Sequence, residues 1–294
     1  MDILKYKTKR IIPSVLCLGY FDALHKGHIK IINTAKNYAK KINAETEVFV
    51  FTGGKNNTPD LFTFEERLIK FKILGVDAVI YQELNKEFMA KSKEEFLKEL
   101  FSYYNVKAIV VGKDYTFGKN AEGNVEFLKE YLNNIGVSLL VCDDILDGLR
   151  EKISTKNIKS LILKGDVLNA NNLLGSNYFI SGTVKKGKGL GQTIGFPTAN
   201  VEVQNDKLLV KKGVYVTCTI INGKLYSSIT NVGNQPTVNG KNELIETYIH
   251  NFNGDLYGKK ITVYFVERIR DIFKFSDLNE LKSQLKKDLG YIYD

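Results

Sequence analysis

Val15-Leu16-Cys17-Leu18-Gly19-Tyr20-Phe21-Asp22-Ala23-Leu24-His25-Lys26-Gly27-His28-Ile29 is the stretch from which the fold of the first half can be read. Four consecutive apolar residues describe a strand buried on both faces. Gly19 and the mixed residues behind it end that strand. Ile29, Ile32, Ala35 and Ala39 then recur at helical spacing over Lys26–Lys41. Strand, loop and helix in that order form the first half of a βαβ unit.

The unit repeats downstream. Strands at Glu47–Phe51, Ala78–Tyr81, Ala108–Val111 and Ser138–Cys142 alternate with helices at Thr63–Leu74, Lys93–Tyr103 and Asn124–Ile135. Gly75 and Gly136 stand where helices should stop. This alternation predicts a parallel sheet wrapped by helices. A helix pair is predicted over 155–174, broken at Gly165-Asp166. Beyond Tyr178 the texture changes to short β-rich runs: Tyr178–Val184, Gly213–Ile221, Leu225–Val232, Ile245–Phe252 and Lys260–Val266. Turn residues separate them, as in an antiparallel barrel or sandwich. One helix, Ser276–Leu289, closes the chain. The predicted division is 1–176 and 177–294.

A length of 294 residues suits two domains. No apolar run reaches membrane-spanning length and no signal-peptide core is seen, so neither insertion nor export is expected. Cys17, Cys142 and Cys218 are odd in number and far apart, which suits reduced thiols in a cytoplasmic protein. The formal net charge is +9. Residues 1–150 carry 22 basic and 20 acidic side chains, and residues 151–294 carry 20 and 13. The basic residues are scattered lysines; arginine occurs only at 10, 67, 150, 268 and 270. A lysine-rich solvated surface or a phosphorylated small-molecule partner fits this pattern better than a base-reading protein.

Histidine is scarcer still: His25, His28 and His250. Two of the three flank the entry to the first helix. A helix N-terminus offers unpaired N–H groups and partial positive charge, a natural phosphate seat. Both imidazoles could donate to phosphate oxygens there, with Gly27 letting the backbone approach. The plain alternative, two ordinary loop histidines, is weakened by the strand–loop–helix context.

In the second half, Gly187-Lys188-Gly189-Leu190-Gly191 precedes Gly195-Phe196-Pro197-Thr198-Ala199-Asn200. Glycine-dense backbone can cradle phosphates. A hydroxyl and an amide at the spacing of Thr198 and Asn200 can share Mg²⁺ with ATP oxygens. Glu246, in an alternating strand, could serve as general base toward a substrate hydroxyl. Standing alone it would be read as a surface carboxylate.

His25-Lys26-Gly27-His28 resembles the His-x-Gly-His motif of the nucleotidyltransferase superfamily. Gly195–Asn200, Gly213-Val214-Tyr215, Asn231-Val232-Gly233-x-x-Pro236-Thr237, Glu246-Thr247-x-Ile249 and Asp255-Leu256-Tyr257-Gly258 occur in the order seen in riboflavin kinases. With Val111–Gly118 added, residues 14–294 resemble the prokaryotic bifunctional riboflavin kinase/FMN adenylyltransferase (FAD synthetase) family. The resemblance implies a Rossmann-like α/β nucleotidyltransferase domain followed by an antiparallel β-barrel kinase domain with a C-terminal helix. It implies that the barrel phosphorylates riboflavin to FMN, with Thr198 and Asn200 holding Mg-ATP, Glu246 as base, and the loop from Gly187 to Gly191 covering the nucleotide. Arg270 would lie on a flavin-side loop. The first domain would join FMN to AMP from ATP, giving FAD and pyrophosphate. Gly19, Phe21, Asp22, His25, Gly27, His28, Ser154 and Thr155 would form its ATP and phosphate site, and Asp114 would contact flavin. No permanently bound cofactor, no membrane and no nucleic acid are implied, and His250 is read as structural.

The departures fall mainly in the first half. A loop glycine is replaced by Ala23, and a proline-containing segment by Phe51-Thr52-Gly53-Gly54-Lys55. The usual Ser-Ser-Thr-Arg-Ile-Arg stretch reads Ser154-Thr155-Lys156-Asn157-Ile158-Lys159. Lysine keeps the charge but loses the two-pronged grip on phosphate. Gln192 and Val210 are milder changes. Three readings therefore stand: the bifunctional enzyme, a riboflavin kinase with a degenerate adenylyltransferase, and a flavin- or nucleic-acid-binding regulator.

Overall fold

The computed structural model describes residues 1–53, 58–187, 191, 194–237 and 240–292, the side chains at 234–237 and 240–244 excepted. The chain forms two compact units, Met1–Thr155 and Lys156–Asp294.

The first unit is built on β1 (Asp2–Lys5), β2 (Arg10–Leu18), β3 (Glu45–Thr52), β4 (Ala78–Glu83), β5 (Tyr104–Gly112) and β6 (Ser138–Cys142). They pair in the order β1-β4-β3-β2-β5-β6, all parallel. Val15 and Cys17 of β2 pack toward α1 (Lys26–Ile42) and α2 (Phe64–Ile73). Leu16 and Leu18 pack on the other face, with α4 (Lys93–Tyr103) and α5 (Val125–Asn134). The strand is thus covered on both faces, as its unbroken apolar run requires. From β2 the chain travels outward in one direction through β3 and in the other through β5 and β6. The crevice beyond the carboxyl ends of β2 and β5 is therefore the topological switch point, where open α/β sheets bind ligands. The loop carrying Gly19–His25 follows β2, and Asp114 follows β5.

Short elements outside the sequence expectation include β1, which pairs with β4 at the sheet edge, α3 (Lys86–Met89) and, in the second unit, a strand over Thr198–Glu202. The helix pair is as predicted, α6 (Thr155–Lys164) and α7 (Val167–Leu174). The predicted division after residue 176 places it with the sheet, whereas the compact units part at Thr155. The reason is Asn171 on α7. Its Nδ2 donates to the Phe265 carbonyl at 2.9 Å, and its Oδ1 accepts from the Tyr178 N–H at 2.6 Å, fastening α7 to two barrel strands.

Those strands are β7 (Tyr178–Lys185), β8 (Thr198–Glu202), β9 (Gly213–Ile221), β10 (Lys224–Thr237), β11 (Gly240–Ile249) and β12 (Lys260–Arg270). They close a barrel in the order β10-β11-β8-β7-β12-β9. The choice between barrel and sandwich is settled by that closure, which leaves no sheet edge. The interior carries an unusual polar seam. Thr217, Thr219, Ser228, Thr230 and Thr247 are all fully buried and satisfy one another through hydroxyl contacts of 2.8–3.0 Å. The final helix, α8 (Leu278–Leu289), is capped by the Asp277 carboxylate, which accepts from the Asn279 and Glu280 N–H groups. Its end packs over Val214, Val216 and Ile229 on the barrel exterior.

A Thr230→Val variant keeps the shape but strands the Thr247 hydroxyl, whose contact with Thr230 measures 3.0 Å. An unsatisfied buried hydroxyl costs about 1–3 kcal/mol. Calorimetry should show the barrel transition moving to lower temperature; an unmoved transition would mean the seam adds nothing to stability.

Candidate active sites

In the first unit the motif loop runs from the end of β2 to the start of α1. Phe21 and Leu24 take left-handed backbone conformations, φ 50° and 44°. Ala23 does not, and it is fully buried. The replacement of a glycine there carries no backbone strain. Asp22 is buried and its Oδ1 accepts from the Leu61 N–H at 3.0 Å, tying the loop to the approach of α2. Gly19 lies under the Phe21 ring, where a Cβ would come within 3.1 Å.

His25 is the N-cap of α1. Its Nδ1 accepts from the Gly27 N–H at 3.1 Å and the His28 N–H at 3.4 Å. Two of the helix's free N–H groups therefore point at an imidazole, a difference from the open phosphate seat expected of them. The proton of neutral His25 must then sit on Nε2, which is left to donate elsewhere. Gly27 serves this cap: a Cβ would approach the His25 ring at 3.0 Å. Its role in the structure is room for the imidazole. His28 stacks on His25, ring centroids 3.9 Å apart, and meets Phe21 edge-on at 5.2 Å. Burial pushes the His25 pKa down to about 4, with the Lys152 ammonium adding to the effect. His28 lies well below the ordinary histidine range, from burial first and then from His25 and Lys152. Its Nδ1 is buried and unpartnered among the described residues. At neutral pH both rings are uncharged.

Lys152 was not singled out by any motif, yet it is the cation nearest in effect to both histidines. It pairs with Asp114 and, at 2.9 Å, with Asp144, which also meets Lys113 at 3.1 Å. Asp114, expected to contact flavin, thus already faces an ammonium. Two and three residues past Lys152 come Ser154 and Thr155, the latter the first residue of α6. Lys156 and Asn157 are exposed on that helix. Arg67, also unflagged by the sequence, is fully buried and donates to the Tyr20 carbonyl at 3.3 Å and the Phe51 carbonyl at 2.7 Å. It holds the carboxyl ends of β2 and β3.

In the barrel, register decides the site. Asn200 lies directly opposite Glu246, and Thr198 opposite Tyr248. Residues facing across an antiparallel pair, and residues two apart along a strand, share one face. Thr198, Asn200, Glu246 and Tyr248 are therefore grouped on the barrel exterior. The row continues through Asn231 to Val214 and Arg270. The glycine loop meets this row at both described ends. A Cβ on Gly187 would fall 2.1 Å from Asn200 Nδ2, and one on Gly191 would fall 2.2 Å from the Phe196 carbonyl and 3.4 Å from Thr198 Oγ1. Residues 188–190 and Gln192 lie outside the described residues, as do Gly54 and Lys55. Glu246 is half-buried; burial raises its pKa, opposed by a hydrogen bond from the Asn231 side chain. A raised carboxylate in a polar row is suited to proton transfer.

Two expectations change. Arg270 is the last residue of β12 rather than part of a loop, and its fork is taken: Nε and Nη2 donate to the buried Asp288 carboxylate at 2.9 and 2.7 Å. It anchors α8. His250 stands in the turn just past β11, its Nδ1 buried without a partner among the described residues.

Residues 7–157 match the family model described as FAD synthetase, and residues 174–293 match that described as riboflavin kinase. The bifunctional riboflavin kinase/FMN adenylyltransferase of Bacillus subtilis (strain 168) is 35% identical over 286 residues, 94% of this chain and 90% of the relative. The protein of the same name from Escherichia coli (strain K12) is 30% identical over 283 residues, 93% of this chain and 90% of the relative. A crystal structure described as a macrolide-efflux protein from Streptococcus pneumoniae superposes with a TM-score of 0.88 at 31% identity, covering 99% of both chains. No helix among the described residues is long and apolar enough to cross a membrane. A parallel sheet with His-x-Gly-His at its switch point, a closed barrel with Glu246 facing Asn200, and relatives matched over nine-tenths of their length place the chain in the bifunctional riboflavin kinase/FMN adenylyltransferase family.

Proposed function

We propose that this chain phosphorylates riboflavin to FMN in its barrel and adenylylates FMN to FAD in its N-terminal unit, in the cytoplasm, using one ATP at each site. The observation that carries the proposal is the β8–β11 register, which sets a half-buried carboxylate opposite Asn200 with Gly187 pressed against that amide.

In the barrel, Glu246 takes the proton of the ribityl 5′-hydroxyl as that oxygen attacks the γ-phosphorus of ATP, and ADP leaves. The Thr198 hydroxyl and Asn200 amide oxygen are hard neutral donors on one face, with the narrow glycine cradle beside them, and fit Mg²⁺ shared with ATP. Bound there, the metal supplies neutralisation of phosphate charge. Gly187 and Gly191 let their loop close onto Asn200 and the Phe196 carbonyl, which holds the Thr198 and Asn200 face against the loop.

In the N-terminal unit, an FMN phosphate oxygen attacks the α-phosphorus of ATP and pyrophosphate leaves. His25 donates from Nε2, stacked His28 shares the load, and Lys152 supplies the positive charge that two neutral imidazoles lack. The second reading, a kinase with a weakened adenylyltransferase, draws on Lys156 and Asn157 at the start of α6, where the family pattern has a small hydroxyl residue and an arginine.

Incubation with riboflavin, ATP and Mg²⁺ should give FMN first and then FAD on separation of the flavins. FMN accumulating without FAD would favour the second reading, and no FMN would remove the kinase assignment. Glu246→Gln should slow FMN formation by about 10²–10⁴-fold while supplied FMN is still adenylylated. Acid protonates Glu246, and its pKa is raised, so the kinase rate should fall on the acid side at a pH above the ordinary carboxylate range; a limb at or below that range would contradict the base assignment. Gly27→Ala should displace the His25 ring and lower adenylylation, leaving riboflavin phosphorylation at its original rate. For stability the sign is the reverse of a paired histidine. The folded pKa of His25 is about 4 against 6.5 unfolded, so stability is complete above 6.5 and declines as pH falls toward 4. Thermal melts of His25→Asn between pH 7.5 and 4.5 should show a shallower decline than the parent chain.

A further inference from the structure

We propose that Lys152 is shared between the two substrates of adenylyl transfer: the ATP phosphates draw its ammonium off Asp114, and the freed carboxylate becomes an acceptor for FMN. The inference rests on the adenylyltransferase reading given above and adds to it a coupling between the two substrates.

Lys152 closes a short hairpin, its backbone bridged to Leu146. The Asp147 carboxylate accepts from the Leu149 and Glu151 N–H groups at 2.8 and 2.9 Å, and the Ile153 N–H donates to the Ile145 carbonyl at 3.1 Å. The backbone under Lys152 is thus held in place while its side chain stays open to solvent. The ammonium lies between two carboxylates, bonded to Asp114 Oδ2 and, at 2.9 Å, to Asp144 Oδ1. Asp114 is folded back over the end of β5: a Cβ on Gly112 would meet its Oδ1 at 3.2 Å and Ile31 of α1 at 3.7 Å. The cluster therefore stands at the carboxyl end of β5, beside the helix that His25 caps. The ammonium's charge is felt at both imidazoles, where it opposes their protonation.

The two carboxylates are not equivalent. Asp144 also pairs with Lys113, at 3.1 Å, and keeps that partner when Lys152 leaves. The Asp114 side chain is 67% exposed, and Lys152 is its one hydrogen-bond and ion-pair partner among the described residues. Withdrawing Lys152 thus frees Asp114 and leaves Asp144 paired. An exposed ion pair is weak, so the ammonium exchanges readily for a partner of higher charge. The triphosphate of ATP is such a partner, and the two neutral imidazoles beside it bring no cation of their own. A carboxylate covered by an ammonium is a poor acceptor for an FMN hydroxyl or N–H, and the same carboxylate uncovered is a good one. Each substrate then favours the state the other needs, and the coupling is positive and reciprocal.

The test measures initial rates of FAD formation by the full chain over a grid of FMN and ATP concentrations with excess Mg²⁺. In the parent, the KM for FMN should fall by about 2–5-fold between low and saturating ATP, the range an exposed ion pair supplies. In Lys152→Met the fall should vanish: the FMN KM at low ATP should already equal the parent's value at saturating ATP, while the KM for ATP rises. Lys152→Arg keeps the charge and should keep the fall. Asp114→Asn should abolish the fall with the opposite pair of shifts, a raised KM for FMN and a lowered KM for ATP. A purely structural role for the ion pairs would move both constants in one direction in both variants. An FMN KM independent of ATP in the parent, or one that rises at low ATP in Lys152→Met, would overturn the proposal. A parent chain that forms FMN but no FAD would overturn the adenylyltransferase reading itself, and the proposal with it.

Discussion

The Thr230–Thr247 hydroxyl contact inside the barrel and the Asn231–Glu246 pair outside it are two sides of one register. Side chains alternate along a strand, so a slip of one residue between β10 and β11 would turn Glu246 inward and the threonines out. An all-apolar interior would resist such a slip only by shape. Hydroxyls that must find one another add a directional requirement, since each misplaced one is a buried group without a partner. The polar seam thus sits where misregistration would disturb the proposed site most, immediately beneath Glu246. The same logic extends to β8, where Asn200 opposite Glu246 completes the face.

The N-terminal unit meets the matching problem with a different device. A parallel sheet sends its loops to one end, and the switch beside β2 opens a crevice there. What fixes the chemistry within it is the His25 cap. By accepting from the first turn of α1, the imidazole is locked in ring orientation and tautomer before any substrate arrives. The lowered pKa follows from the same burial. Neutral, oriented donors avoid the desolvation that a permanently charged pair would suffer, and a polyanionic ligand supplies the field that favours their N–H dipoles. Arg67 and Asp22 hold the loop ends from below, so the motif rests on a buried polar scaffold.

Much of this was legible in the sequence because it is periodic or compositionally sharp. The run Val15–Leu18 specified a strand covered on both faces, and the scarcity of histidine marked the loop after it. What escaped notice depends on contacts remote in sequence. Asp2–Lys5 is too short and too charged to read as a strand and becomes one only by pairing with β4. Thr198–Glu202 reads as a motif, and its β character is conferred by β7 and β11 on either side. Asn231 was visible within a motif but without a role, because only the register sets it opposite Glu246. Lys152 carries no local signal at all; its meaning comes from Asp114 and Asp144. The helix pair was found but grouped with the sheet, since nothing in its own sequence announces that Asn171 is fastened to the barrel.

The net charge of +9 takes on a different meaning once the arginines are located. Four of the five are committed to the scaffold. Arg10 joins Asp2, Glu45 and Glu47; Arg67 grips two carbonyls; Arg268 meets Asp271 and the Lys212 carbonyl; Arg270 holds Asp288. A planar fork is suited to such fixed, multiply bonded positions. On the proposed reading, phosphate is left to groups that act as point charges or as single donors: Lys152, the paired imidazoles, and the backbone beside glycine. On this division of labour, Asn157 and Lys159 in place of arginine belong to a chain that uses arginine for architecture. The same division gives the excess of lysine a purpose short of nucleic-acid binding, because ATP and FMN are sufficient anions for it.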